Sequence, residues 1–169
     1  HPLDDISLRN LNNTESSWSY LIYLQALCKY LDLKITLQEV DDACLYAKDC
    51  LLHYVDWMIE NESPFLQNPE NLEYPNHTWT AQDLRKANIF FMASLYSENN
   101  KTKYLEAAHF YVRFVEDTLK NEETRYFSRL LILLMQSDLK DSGLDYDAAR
   151  LLRNLYCSKS YSPDSLSSF

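Results

Sequence analysis

A chain of 169 residues with a single glycine, Gly143, has very few ways to turn sharply. Left-handed backbone positions and phosphate-cradling loops both depend on glycine, because any Cβ is crowded there. Walker and Rossmann nucleotide-binding loops are therefore excluded, and a sheet built from many tight hairpins is disfavoured. Long helices joined by short polar turns suit such a chain. Its length fits one domain with a sizeable core. Hydrophobic residues make up 46% of it, which separates it from disordered sequences.

Hydrophobic periodicity predicts about six helices, over 16–32, 37–60, 79–96, 102–120, 124–136 and 146–157. Thr36 is the expected N-cap of the second helix. Thr80 and Asp83 have capping-box spacing at the start of the third, with Asp in place of the usual Glu or Gln. The longest break, 61–78, contains Pro64, Pro69 and Pro75. The domain is expected to span 16–157, between a polar N-terminal tail or connection over 1–15 and a flexible serine-rich tail over 158–169.

The helices differ in amphipathicity. The first, third and fifth are apolar nearly all round, as in Ile89, Phe90, Phe91, Met92 and Ala93 of the third. The second and fourth carry polar faces. A helix that is apolar on every side must be covered on every side. The pattern therefore predicts an all-α fold of three consecutive α-hairpins in two layers, the odd helices inside, as in a partial α/α toroid or an α-solenoid. The 61–78 loop falls on one side of that arc and the short turns on the other.

The formal net charge is −9. Basic residues do not cluster, so nucleic acid is not an expected partner. The charge serves solubility, or lines an acidic cleft for a cation or a basic partner. No apolar run is long enough to cross a bilayer, Leu130–Met135 being the longest. Cys28, Cys44, Cys50 and Cys157 form no CxxC pair, which argues against a zinc site, and three of the four lie in apolar helical stretches and read as core residues in a reducing, cytoplasmic setting. Sequons at Asn12, Asn61, Asn76 and Asn100 point toward secretion instead.

The densest polar and aromatic cluster runs from Glu73 to Lys86, where the long loop enters the third helix. Trp79 and Tyr74 offer faces on which a sugar ring can stack. Glu73, His77, Gln82, Asp83 and Arg85 offer bonds to hydroxyls or, from Arg85, a bidentate bond to a carboxylate. Burial would tune Glu73 or His77 as an acid or base. The same residues also have a purely structural reading: Trp79 as a hydrophobic staple, Asp83 as a cap, and Arg85 paired with Asp83 or an outer carboxylate.

Other candidates are weaker. A di-iron bundle needs two Glu-x-x-His motifs, and only Glu106-x-x-His109 is found. Asp49, His53 and Asp56 share a helix face with ligand spacing, but on a helix whose polar face meets water. Arg125 and Arg129 could hold an anion or pair with Glu122 or Glu123. No Ser-His-Asp or Cys-His signature is found. No metal or other cofactor is expected.

The stretch Tyr74-Pro75-Asn76-His77-Thr78-Trp79-Thr80-Ala81-Gln82-Asp83-Leu84-Arg85-Lys86-Ala87-Asn88 resembles a segment near the C-terminus of bacterial α/α-toroid proteins of the six-hairpin glycosidase type. There it reads roughly Y-P-T-E-T-W-x-A-Q-D-x-R-K, and the surrounding helices match in length and pattern. The resemblance implies a toroid fold and a place in carbohydrate-active machinery. His77 stands where the family carries glutamate, so a catalytic role for that position would be lost or changed here. Six helices would make about half of a twelve-helix ring, closed by the remaining half or by a second copy. The expectation is a helical-hairpin domain that binds carbohydrate and is not catalytic alone, its cleft lined by 61–86. The alternative is a non-catalytic α-solenoid interaction module, although no tetratricopeptide or ankyrin signature is found.

Overall fold

The structure, a computed structural model, describes residues 1–11, 13–97 and 99–119. The predicted helices 124–136 and 146–157, with Arg125, Arg129, Cys157 and the tail at 158–169, lie outside the described residues. Among the described residues the chain is all-helical, with no strand. A 3-10 turn, Ile6–Arg9, precedes the one-turn helix α1, Thr14–Ser17. Four long helices follow: α2, Tyr20–Thr36; α3, Asp42–Asn61; α4, His77–Tyr96; and α5, Lys101–Leu119. Two further 3-10 turns, Phe65–Gln67 and Pro69–Asn71, occupy the loop between α3 and α4. Among the described residues no helix is long and apolar enough to cross a membrane.

Two helix boundaries differ from expectation. α2 does not stop at residue 32, and Thr36 is its last residue rather than the N-cap of α3. The buried stripe Leu21, Leu24, Cys28, Leu31 and Ile35 keeps helical spacing through Ile35, so burial carries the helix onward. It ends in a Schellman turn. Glu39 N–H donates to the Lys34 carbonyl at 2.8 Å and Gln38 N–H to that of Ile35 at 2.9 Å. Gln38 sits at φ 58°, the left-handed position that glycine usually takes. Asp41 then caps α3, accepting from Cys44 N–H at 2.8 Å, and pairs with Lys34 at 2.8 Å. Those two partners hold the Asp41 carboxyl below its usual value, Lys34 more strongly than the cap.

α4 is the hub. It packs against α2, α3, α5 and the Phe65–Gln67 turn. Ala81, Ala87, Ile89, Phe90 and Ala93 on it are wholly buried, as expected of an inner helix. α5 turns Tyr104, Ala108, Tyr111 and Val115 toward the core and keeps a polar outer face. α2 departs from the expectation that it is covered all round. Its contacts with α3 and α4 leave Ile22 and Leu33 about half exposed on a third side, on the same stripe as exposed Ala26 and Lys29. Cys28, Cys44 and Cys50 are buried and free, and burial pushes the Cys28 thiol up to about 12.

The N-terminal residues, expected as a polar tail or connection, pack on the domain. Ile6 is buried in the main core, and His53 Nε2 donates to the Asp4 carbonyl at 2.7 Å. Ile6, with Leu11 packed beside the same core, and the His53 bond from α3 hold this strap in place. Arg9 and the N-terminal ammonium both pair with Asp4 across it.

Candidate functional site

The start of α2, the end of α3 and the first turns of α4 are drawn together by a buried charge network. Lys86 lies on α4 with no exposed surface. Its ammonium donates to Glu62 Oε2 at 2.7 Å and to the Ser63 carbonyl at 2.7 Å, and lies 3.2 Å from Asp83 Oδ1. It also sits 3.7 Å above the centre of the Phe65 ring, a cation–π contact. Asp83, equally buried, accepts from Phe65 N–H at 3.0 Å. The other Glu62 oxygen accepts from the Tyr20 hydroxyl. Six residues, from α2, α4 and the segment that follows α3, are thereby fixed to one another.

Two carboxylates share one ammonium here, so the network carries one negative charge in excess when all are ionised. Burial, against the pull of Lys86 and the Phe65 N–H, pushes the Asp83 carboxyl up to about 7. Burial and the neighbouring Glu62 charge raise the Tyr20 phenol well above its ordinary value. Among the described residues the buried Tyr111 hydroxyl and Thr80 Oγ1 find no hydrogen-bond partner.

Above this network lies a pocket of about 130 Å³. Glu62 lines it with Thr14, Asn61, Ser63, Asn68 and Asn71. Leu11 lines this pocket and also a broader groove of about 600 Å³. The groove runs along Arg9, Ser16, Ser19, Tyr20, Tyr23 and Tyr54. Tyr20 stacks on Tyr54 with ring centres 6.4 Å apart, and Tyr23 meets the same ring edge-on at 6.3 Å. Tyr20 therefore joins the two spaces: its ring faces the groove and its hydroxyl holds Glu62.

The predicted site residues are distributed rather than gathered. Glu73 and Tyr74 are exposed on the loop, where Glu73 N–H donates to Glu15, the neighbour of the pocket residue Thr14. His77 and Gln82 are half-buried on α4. Trp79 packs against Phe65, ring centres 5.2 Å apart, and its partial burial belongs to the core. Asp83 does not cap α4. Asn76 does, accepting from Thr78 N–H at 2.9 Å, so α4 starts two residues before Trp79 and places Asp83 in its second turn. Arg85 donates to Gln25 Oε1 on α2 at 2.9 Å rather than to a carboxylate.

The other candidates are engaged elsewhere. His53 serves the N-terminal strap, and Asp56 accepts from the Tyr104 hydroxyl at 2.8 Å. Glu106 and His109 are exposed on α5. Among the described residues no three His, Cys, Asp or Glu side chains converge as metal ligands. The sequon asparagines Asn61, Asn76 and Asn100 each use their side-chain amide in a hydrogen bond, to Trp57, Tyr74 and Asp56 respectively.

Sequence reasoning missed Tyr20, Tyr23, Tyr54 and Glu62. The tyrosines lie within apolar runs and read as core. Thirteen tyrosines in one chain is the compositional signal that pointed to them. Glu62 reads as an ordinary loop carboxylate, and nothing in the sequence pairs it with Lys86. No family model, curated protein or solved structure matches the chain.

Proposed function

We propose that this chain is a helical-hairpin domain of the partial α/α-toroid kind that binds carbohydrate and does not catalyse a reaction alone. The observation that carries the reading is a tyrosine-lined groove beside a small polar pocket, the two sharing Leu11 in their walls. A sugar presents apolar CH faces and a rim of hydroxyls. Ring faces and a few convergent amides, hydroxyls and a carboxylate complement both. The packing of α2 and α4 on each other, with α3 and α5 against α4, is compatible with inner and outer layers. The ligand surface of this reading includes the 61–76 loop, with exposed Glu73 and Tyr74 beside the pocket, and adds the tyrosines of α2 and α3. Trp79, Asp83 and Arg85 support it from beneath.

NMR titration of the labelled protein with neutral oligosaccharides tests the reading. Resonances of Tyr23, Asn68 and Asn71 are expected to shift, and Tyr23→Ala, at a half-exposed position, to weaken binding at least tenfold without unfolding the protein. Absence of any shift, or equal binding by Tyr23→Ala, refutes it. A protein-interaction module is the second reading, favoured by the exposed Ile22–Leu33 stripe of α2. Peptide binding that shifts that stripe and leaves the tyrosine groove untouched would select it.

A further inference from the structure

The charge around the pocket narrows the ligand class. We infer that the site takes neutral or amino sugars and rejects sugars that carry a carboxylate, sulfate or phosphate, with Glu62 as the residue that sets this selectivity. The inference rests on the carbohydrate reading and deepens it.

A carboxylate has room for about four hydrogen bonds. In Glu62 one oxygen accepts from Tyr20 and the other from Lys86, which fixes the group in place and leaves acceptor capacity on each oxygen. The remaining polar lining, Thr14, Asn61, Ser63, Asn68 and Asn71, is uncharged. The pocket thus presents one carboxylate among neutral groups, suited to a ligand that donates.

The nearby cations are committed. Lys86 is wholly buried and shared between Glu62 and Asp83. Arg9, in the adjoining groove, pairs with Asp4. Arg85, the residue suited to a sugar carboxylate by type, bonds to Gln25 on α2. On the rim, Glu15 and Glu73 add negative charge. An anionic sugar would lose its hydration beside Glu62 with no unpaired cation among the described lining residues to replace it, whereas a hydroxyl or ammonium would gain an acceptor.

The test is calorimetric titration of the whole chain with cellobiose, maltose, the glucosamine disaccharide and the galacturonic acid disaccharide. The wild type is expected to bind at least one of the neutral or amino disaccharides and to bind the uronate at least tenfold more weakly. Glu62→Gln is expected to reduce that gap below threefold. Asn71→Lys, at an exposed pocket position where folding is not at risk, is expected to strengthen uronate binding, and it decides the question if Glu62→Gln does not fold. Uronate binding as tight as that of the neutral sugars in the wild type overturns the inference alone, as does a gap that neither variant changes. Binding of none of these probes overturns the carbohydrate reading and the inference together.

Discussion

Replacing Lys86 by methionine keeps the length and apolar stem of the side chain but removes the ammonium from between two carboxylates. Glu62 and Asp83 then face each other, the Ser63 carbonyl loses its donor, and the Phe65 ring loses its cation. Breaking a buried pair on one side typically costs about 3–5 kcal/mol, because the surviving charge is left without compensation. Protonation of Asp83 relieves part of this. Its carboxyl stands at about 7 with the ammonium present, above an ordinary value of 3.8, and rises further without it. A carboxyl raised by folding binds its proton more tightly in the folded chain. Its contribution is therefore full at low pH and is lost as pH climbs from about 4 to about 7. The local slope approaches about 1.4 kcal/mol per pH unit where folded and unfolded chains differ by one proton.

In Lys86→Met that loss continues above pH 7, where the Asp83 contribution in the wild type has levelled off. Asp83→Asn keeps an acceptor for Phe65 N–H and mimics the protonated group. It should cost less than about 1.5 kcal/mol and remove the corresponding slope. Urea unfolding followed by tryptophan fluorescence, with Trp79 packed on Phe65 as reporter, gives all three curves. Two results would refute the reasoning: a Lys86→Met cost below about 1 kcal/mol at pH 8, or parallel stability curves for wild type and Asp83→Asn between pH 4 and 7.

Three further perturbations probe the frame. Gln38→Gly relieves the left-handed strain at the end of α2 and is expected to stabilise by about 1 kcal/mol in chemical denaturation, where an unstrained site would be destabilised by the extra chain entropy. Ile6→Ala should cost about 2–4 kcal/mol and make the first ten residues protease-sensitive, whereas a free tail would show neither effect. Tyr104→Phe deletes the hydroxyl that donates to Asp56 and should lower stability by about 1 kcal/mol, with the largest rise in hydrogen exchange near residues 56 and 100.

The helical class and the long α3–α4 loop were legible because they rest on periodicity and on proline and glycine placement, which are local. The end of α2 and the start of α3 differ from expectation because Thr36 is a permitted cap by type. The choice of Asp41 depends on the burial of Ile35 against other helices and on Lys34 pairing with Asp41, which no short window contains. Asp83 looked like a cap for the same reason: its partner, Phe65 N–H, is 18 residues away. Trp79 packs on Phe65 of the preceding loop rather than stapling the residues beside the Asn76 cap, and Arg85 bonds to an amide rather than to an acid. Tyr20 and Glu62, which join the groove to the pocket, are 42 residues apart and meet only through tertiary folding.

The complete burial of Lys86 gives the loop a chemical clock. An amine reacts with an acylating reagent only when the reagent can reach it, and this one is out of reach while Glu62, Ser63 and Phe65 surround it. Its labelling rate, measured by mass spectrometry against that of exposed Lys29, therefore reports how often the segment after α3 lifts away from α4. A ligand seated in the pocket above Glu62 should slow that rate in proportion to its occupancy, so a single lysine can register binding without any label on the ligand.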